Sequence, residues 1–287
     1  MTVSRVATVI TSRPQALEGA LATLHASAAR AGVTLRFDSD ETAKHGLERA
    51  EGVYVDAPLD PDVDICIVLG GDGTILRALR SYAGTGVPVF AVNYGDVGFL
   101  ATVEPDNIDD GLARAFAGDF DAMQLPAVVL GDDRRWLGVN DVSFHRKPGR
   151  RVADLAYAIG PDEVGRVRCD GLVVCTPAGS TGYNLANGGP VLAWGVEGFV
   201  VSFVAPHSLT ARTLVVAPHD VITVHNRSSD DPADVTVDGR PVCELAAGDA
   251  LTVRFAQSQT VLAQMPGANF YHRLRETFGR LASYARS

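Results

Sequence analysis

Asp64-Ile65-Cys66-Ile67-Val68-Leu69-Gly70-Gly71-Asp72-Gly73-Thr74 decides how the rest of this 287-residue chain is read. The apolar run from Ile65 to Leu69 is unbroken and stops at glycine. A short continuous apolar run bounded by glycine reads as a strand buried on both faces, as in a parallel sheet. Ile75, Leu76 and Leu79 then share one side of a helix, so the glycines form a strand-to-helix turn. Backbone N–H groups point outward at such a turn, and the helix dipole favours an anion there. Asp72 is the only charge on the turn. A turn made only to hold phosphate gains nothing from a carboxylate. An aspartate placed here suits a general base for a hydroxyl, or a ligand for the Mg²⁺ that accompanies nucleotide phosphates. The plainer alternative is a tight turn in which Asp72 caps the helix near Thr74, and the turn alone does not separate the two.

Working outward, strand and helix alternate. Arg5 to Ile10 reads as a strand, the Ala/Leu-rich segment Gln15 to Ala31 as a helix closed by Gly32, and Val33 to Phe37 as a second strand. Val53 to Ala57 is a third short strand. After the turn come a helix to about Tyr82, a strand over Val87 to Val92 and a helix over about Asn107 to Ala117. This order predicts a parallel sheet with helices on both faces. From about Phe120 apolar stretches recur at short intervals between turns. They include Ala127 to Leu130, Trp136 to Phe144, Ala153 to Ile159, Leu172 to Cys175, Phe199 to Val204, Val221 to His225 and Leu251 to Phe255. That texture predicts an antiparallel, β-rich second half. A closing helix over Phe270 to Leu281 presents Phe270, Tyr271, Leu274, Phe278 and Leu281 on one face, suited to packing back on the first domain. The expected domains are 1–119, completed by 266–287, and 120–265.

Hydrophobic residues at 46% and charged residues at 21% fit a globular protein with a large core. The net charge of −9 has no compensating basic block, which argues against nucleic acid or an anionic membrane as partner. Lys44 and Lys147 are the only lysines. The four cysteines (Cys66, Cys169, Cys175, Cys243) lack C-x-x-C spacing and read as buried free thiols in a reducing cytosol. There is no signal-like N-terminus and no apolar run near 18 residues, so a cytoplasmic location is expected.

Two polar constellations stand out in the second half. Asn140-Asp141 interrupts a strand, where a bulge is the plain reading. Cys169 to Leu192 sets Thr176, Ser180, Thr181, Tyr183, Asn184 and Asn187 among glycines and prolines. Short hydroxyls and amides on open backbone can hydrogen-bond ribose and base edges, and Tyr183 can stack on a ring. A capped helix start at Ser180/Thr181 is compatible with that role. Neither a P-loop nor a Gly-x-Gly-x-x-Gly fingerprint is present, and His207 lacks a second ligand at metal spacing.

With these pieces in order, the chain resembles the NAD kinase family, of the bacterial ATP- or polyphosphate-dependent type. Gly70-Gly71-Asp72-Gly73-Thr74 resembles its glycine-rich motif, and Asn93 through Gly98-Phe99-Leu100 its Asn-x-Gly-x-x-Gly-Phe-Leu segment. Asn140-Asp141 resembles its Asn-Glu/Asp pair, and Asp170-Gly171 through Gly188-Gly189-Pro190 its longest and most specific block. Pro206-His207-Ser208-Leu209, Asp238-Gly239 and Phe270-Tyr271 also fall where members carry similar residues. The chain departs from the pattern at Asp141 (the shorter acid), Asp96, Gly182 and Asn187.

The resemblance implies an α/β N-terminal domain, a β-rich C-terminal domain and a last helix returning to the first. It implies phosphoryl transfer from ATP or polyphosphate to the 2′-hydroxyl of the adenosine ribose of NAD, with Mg²⁺. Asp72 would activate the hydroxyl, and Gly71, Gly73 and Thr74 would face phosphate. Asn140, Asp141 and Asp170 would bind NAD, and Ser180, Thr181 and Tyr183 would surround adenosine. No metal ligand is fixed by the motifs, Asp72 being the one candidate. A homodimer or homotetramer is expected. The alternatives weighed are a lipid kinase of the diacylglycerol/sphingosine type, which shares the first motif, and a non-catalytic NAD(P)-binding regulator.

Overall fold

The central apolar run is a strand walled in on every side. A computed structural model describes residues 5–12, 17–96, 98–132 and 134–279, and the chain divides into two units, Met1–Gln124 with Thr260–Ser287, and Leu125–Gln259. The first unit contains β1 (Val6–Thr11), α1 (Glu18–Ala31), β2 (Thr34–Arg36), α2 (Ser39–His45), β3 (Val53–Tyr54), β4 (Ile65–Gly70), α3 (Asp72–Ser81), β5 (Pro88–Asn93) and α4 (Ile108–Ala117). Its strands run parallel in the order β5-β4-β1-β2-β3. In register, Ile67 of β4 lies opposite Val9 of β1 and Phe90 of β5. Every residue of β4 is buried. Ala7, Val9, Ile65, Ile67, Leu69, Phe90 and Val92 pack with Leu24 of α1 and Leu112 and Phe116 of α4. The residues between them face the side that carries α3. Each large apolar side chain so buried contributes about 1.5–3 kcal/mol. That two-sided burial fixes where β4 ends, and hence where the glycine turn stands.

The second unit is built from β6 (Asp121–Leu130), which starts in the first unit, then β7 (Leu137–Gly138), β8 (Asp141–Arg146), β9 (Ala153–Ile159) and β10 (Asp162–Cys169). They are followed by β11 (Gly171–Cys175), the short α5 (Tyr183–Ala186), β12 (Phe199–Val204), β13 (Leu214–Val216), β14 (Val221–Asn226), β15 (Ala233–Val237), β16 (Arg240–Leu245) and β17 (Ala250–Gln264). One antiparallel sheet has the order β13-β12-β11-β8-β15-β16; the other joins β10-β9-β14-β17, with β6 beside β17. Phe144, Leu172, Val174, Phe199 and Val201 from the first meet Leu155, Tyr157, Ile222, Val224 and Val253 from the second in one core. The last residues of β17 lie in the first unit, where Val261 pairs with Pro88 of β5, and α6 (Phe270–Phe278) follows in the same unit. Among the described residues no helix is long and apolar enough to cross a membrane. All four cysteines are free thiols, and Cys243 is exposed rather than buried.

The structure differs from the sequence reading in several elements. The expected strand Trp136 to Phe144 is broken, with β7 and β8 separated by Val139-Asn140. β10 escaped notice because an edge strand with Asp162, Glu163, Arg166 and Arg168 shows little apolar alternation. On α6, Leu274 is buried while Tyr271 turns outward, 67% exposed. The expected helix start at Gln15 and end at Leu281 lie outside the described residues, as do Arg13-Pro14 and Val97.

α2 was also not anticipated, because seven residues rich in charge carry no clear period. Asp38 caps it, accepting a 2.7 Å bond from the Glu41 N–H. Glu41 is wholly buried, and its carboxylate accepts from Thr11 Oγ1 (2.5 Å), Lys44 Nζ (2.7 Å) and Arg77 Nη2 (2.7 Å). Burial works to raise its pKa, but the bonds from Lys44 and Thr11 prevail and hold it below the ordinary carboxylate range. A depressed native pKa stabilises the fold above the unfolded value and stops doing so as pH falls through the native one. Breaking a buried pair costs about 3–5 kcal/mol; with Arg77 and Lys44 partly solvated, Glu41→Gln is expected to cost ~2–3 kcal/mol at pH 7. Urea melts against pH check this: the wild-type advantage is expected to shrink as Glu41 protonates.

Candidate functional site

In the first unit the chain leaves β4 at Gly70, and Gly71 stands before the helix in extended conformation. The glycines serve packing as much as access. A Cβ on Gly70 would fall 2.8 Å from the Thr74 side chain, and one on Gly71 2.9 Å from Cα of Gly95. Gly73 alone opens onto free space. Asp72 is the first residue of α3, yet its carboxylate turns away from the helix. It accepts the N–H of Phe99 (3.0 Å, Oδ2) and of Leu100 (3.1 Å, Oδ1). The capping alternative raised on sequence is therefore replaced by a bond to a separate loop.

That loop is braced. Asn93 Oδ1 accepts from Gly95 N–H at 3.1 Å, and its amide donates to Glu104 at 3.1–3.2 Å. Gly98 has φ +62°, and a Cβ there would strike the Asn93 amide, so the site needs glycine twice over. Burial pushes the Asp72 carboxyl above its ordinary pKa; the Leu100 and Phe99 N–H groups and the charge of Arg273 oppose it without cancelling it. The result is a half-buried carboxylate of raised proton affinity, held rigidly at a helix N-terminus.

In the second unit Asn140-Asp141 is pinned from both sides. The Asp238 carboxylate accepts the N–H groups of Val139 (3.0 Å), Asn140 (2.7 Å) and Asp141 (3.1 Å). Opposite, Thr176 donates its hydroxyl to Val139 O (2.6 Å) and its N–H to Asn140 O (2.9 Å). Gly179 presses so close that a Cβ would sit 2.1 Å from Asn140 O. The Asn140 Oδ1 is left buried with no hydrogen-bond partner among the described residues. Asp238-Gly239 makes the β15–β16 turn with φ +45° and +72°, a two-residue hairpin that the Asp-Gly pair favours. Burial, reinforced by the nearby Asp238 charge, pushes Asp141 up to about 7.

The polar block divides. Ser180 is fully buried: its hydroxyl donates to Pro177 O at 2.6 Å and accepts from Leu192 N–H at 2.9 Å, so it closes the loop from behind. Asn184 is likewise internal, bridging Ser180 O (3.0 Å) and Pro190 O (2.9 Å). Thr181 and Tyr183 stay partly open. One face of Tyr183 stacks on His145 (centroids 5.5 Å, 25°). After burial, the charges of Asp141 and Asp170 are what raise the pKa of its phenol, so these three residues share one neighbourhood. Asp170 pairs with Arg146 at 2.5 Å.

Family models match two stretches: the ATP-NAD kinase N-terminal domain over residues 16–120 and the ATP-NAD kinase C-terminal domain over 139–265. The chain belongs to the NAD kinase family. An NAD kinase of Gemmatimonas aurantiaca is 36% identical over 272 residues, 92% of this chain and 91% of that one. One from Lachnoclostridium phytofermentans is 34% identical, over 80% and 85%. Among solved structures, a yeast NADH kinase complexed with NADH has the same fold (TM-score 0.86, 20% identity, 100% of this chain and 91% of that one). An Archaeoglobus fulgidus NAD kinase in complex with ATP superposes with TM-score 0.73 at 25% identity, over 96% and 97%. These matches favour neither the lipid-kinase nor the regulator alternative.

The structure gives Thr176, Gly179 and Asp238, which the motifs contain without this role, as the clamp on Asn140-Asp141, and His145, outside the motifs, as the support of Tyr183. Only Asp238-Gly239 had a local signal, its turn pattern. A native pKa of Asp141 near 7 means that the folded chain keeps a proton the unfolded chain releases above about 4. Stability is therefore lost as pH rises from about 4 to about 7 and then levels off. Asp141→Asn is expected to melt near the wild-type temperature at pH 4.5 and several degrees above it at pH 8. Parallel thermal scans check this, and a constant difference across pH would contradict it.

Proposed function

We propose that this NAD kinase family member transfers the terminal phosphoryl group of ATP, or of polyphosphate, to the 2′-hydroxyl of the adenosine ribose of NAD. The observation that carries the reading is the Asp72 carboxylate, fixed by two backbone N–H bonds at the N-terminus of α3 inside the matched N-terminal domain. Phosphoryl transfer asks for positioning and charge neutralisation more than for covalent chemistry. Raised proton affinity suits Asp72 to accept the hydroxyl proton. The N–H groups of Gly71 and Gly73 suit donor phosphates; the Thr74 N–H donates to Gly71 O at 2.9 Å, so Thr74 would face phosphate with its hydroxyl. In the second unit we assign NAD to Asn140, whose buried Oδ1 needs a donor, and to Asp141 and Asp170. Thr181 and Tyr183 form the adenosine wall, with Ser180 holding its loop in shape.

Among the described residues no cluster of three or more His, Cys, Asp or Glu would cage a metal. Mg²⁺ is commonly held by one or two carboxylates and the phosphates themselves. Asp72 is the residue that would hold it, and the ion would neutralise charge on the transferring phosphate. We place the reaction in the cytoplasm and the working enzyme as a homodimer or homotetramer, in keeping with the free thiols and with the family resemblance.

With NAD, ATP and Mg²⁺, Asp72→Asn is expected to bind NAD within about threefold of wild type and to turn over at least ~100-fold more slowly, as loss of a general base does. Calorimetry and steady-state kinetics check both halves. An NAD analogue lacking the adenosine 2′-hydroxyl should bind and give no product. Near wild-type kcat in Asp72→Asn, or phosphate on the analogue, would reject the assignment.

A further inference from the structure

α6 lies beyond both stretches matched by the family models, yet one of its side chains reaches the loop that holds Asp72. Arg273 Nη1 donates to Phe99 O at 2.9 Å and to Ala101 O, and Nη2 donates to Gln264 Oε1 at 2.6 Å. The Phe99–Leu100 peptide is thereby gripped at both ends. Its carbonyl accepts from the guanidinium, and its N–H, 3.1 Å away, donates to Asp72 Oδ1. Charge on Arg273 polarises the peptide in the sense that strengthens the bond to an ionised carboxylate. The rings of α6 add a mechanical hold, with Phe270 5.8 Å and Phe278 6.1 Å from Phe99.

We infer that Arg273 is a positioning residue for phosphoryl transfer, acting on Asp72 through the Phe99–Leu100 peptide. This rests on the reading of Asp72 given above. Three features support it. Gln264, 1% exposed at the end of β17, orients the guanidinium, so the fork is preorganised. Burial disfavours a charge here, yet the carboxylates of Asp72, Glu104 and Glu276 all favour it, and an arginine stays cationic in that balance. Without the cation the Phe99 carbonyl would lose the group that fixes its direction, and with it the Leu100 N–H of the same peptide, while the Ala101 carbonyl would lose its hold on the end of the loop. Arg273 touches no reacting group in this scheme; it sets where the base stands.

The test is steady-state kinetics of the full chain with NAD, ATP and Mg²⁺ on Arg273→Gln, Arg273→Lys and Asp72→Asn, each with a thermal melt. Displacing a catalytic group by an ångström costs on the order of 100-fold. Arg273→Gln is expected to lower kcat by at least ~10-fold and to leave KM for NAD within about twofold. Arg273→Lys keeps the cation but cannot reach both carbonyls and Gln264, and should recover part of the loss. If Arg273→Gln does not fold, the kcat of Arg273→Lys decides. Wild-type kcat in the folded Arg273 variants, or a loss confined to KM, would overturn the inference while a slow Asp72→Asn leaves the base assignment standing. An Asp72→Asn variant as fast as wild type would instead remove the base itself.

Discussion

Two backbone N–H groups, those of Phe99 and Leu100, hold the Asp72 carboxylate, and much of the first unit exists to keep that arrangement in place. A carboxylate at the first residue of a helix would ordinarily fold back onto the free N–H groups of its own first turn. Here it is drawn to another loop, and the helix opens on the Gly71 carbonyl, which accepts from Thr74 N–H (2.9 Å) and Ile75 N–H (3.1 Å). The geometry depends on β4 ending at Gly70, which double-sided burial imposes, and on Gly71 and Gly95 meeting backbone to backbone. The base role proposed for Asp72 draws on burial that raises its proton affinity, while the same N–H bonds limit the rise and fix its direction.

The second unit solves a related problem by a different route. Asn140 lies in the break between β7 and β8 and Asp141 opens β8, where the backbone would be free to relax. Asp238 removes that freedom from the donor side and Thr176 from the acceptor side. The clamp is gained against two local penalties: a positive φ at Asp238, and a carboxyl at Asp141 buried near a second acid. Groups kept at odds with stability are characteristic of sites under functional demand. The unpartnered Oδ1 of Asn140 belongs to the same pattern, since a buried acceptor without a donor is tolerated where a ligand supplies one.

Much of this was legible in the sequence. The apolar run and glycine turn located β4 and α3, and strand spacing identified the β-rich half. What the sequence could not separate is polar groups facing a ligand from those satisfied inside the chain. Ser180 and Tyr183 are three residues apart in one motif, yet one is sealed in the loop and the other lies partly open with a ring face against His145. Gly71, read as room for phosphate, is equally room for Gly95. The contacts that were missed act over long separations: Asp238 lies 97 to 99 positions from the backbone it grips, and Arg273 172 and 174 from its carbonyl partners. No local pattern encodes such contacts, which arise only when the sheets assemble. α2 was missed for another reason, because its one inward-facing residue of consequence is an acid.

The most direct test of the account is the position of the new phosphate. Purified protein supplied with NAD, ATP and Mg²⁺, and with diacylglycerol and sphingosine in parallel reactions, should yield a single phosphorylated product. Proton and phosphorus NMR of that product should place one monoester on the 2′-oxygen of the adenosine ribose, with neither lipid modified. A monoester at the 3′-oxygen or on the nicotinamide ribose, phosphate on a lipid in preference to NAD, or tight NAD binding without product from ATP or polyphosphate would contradict it.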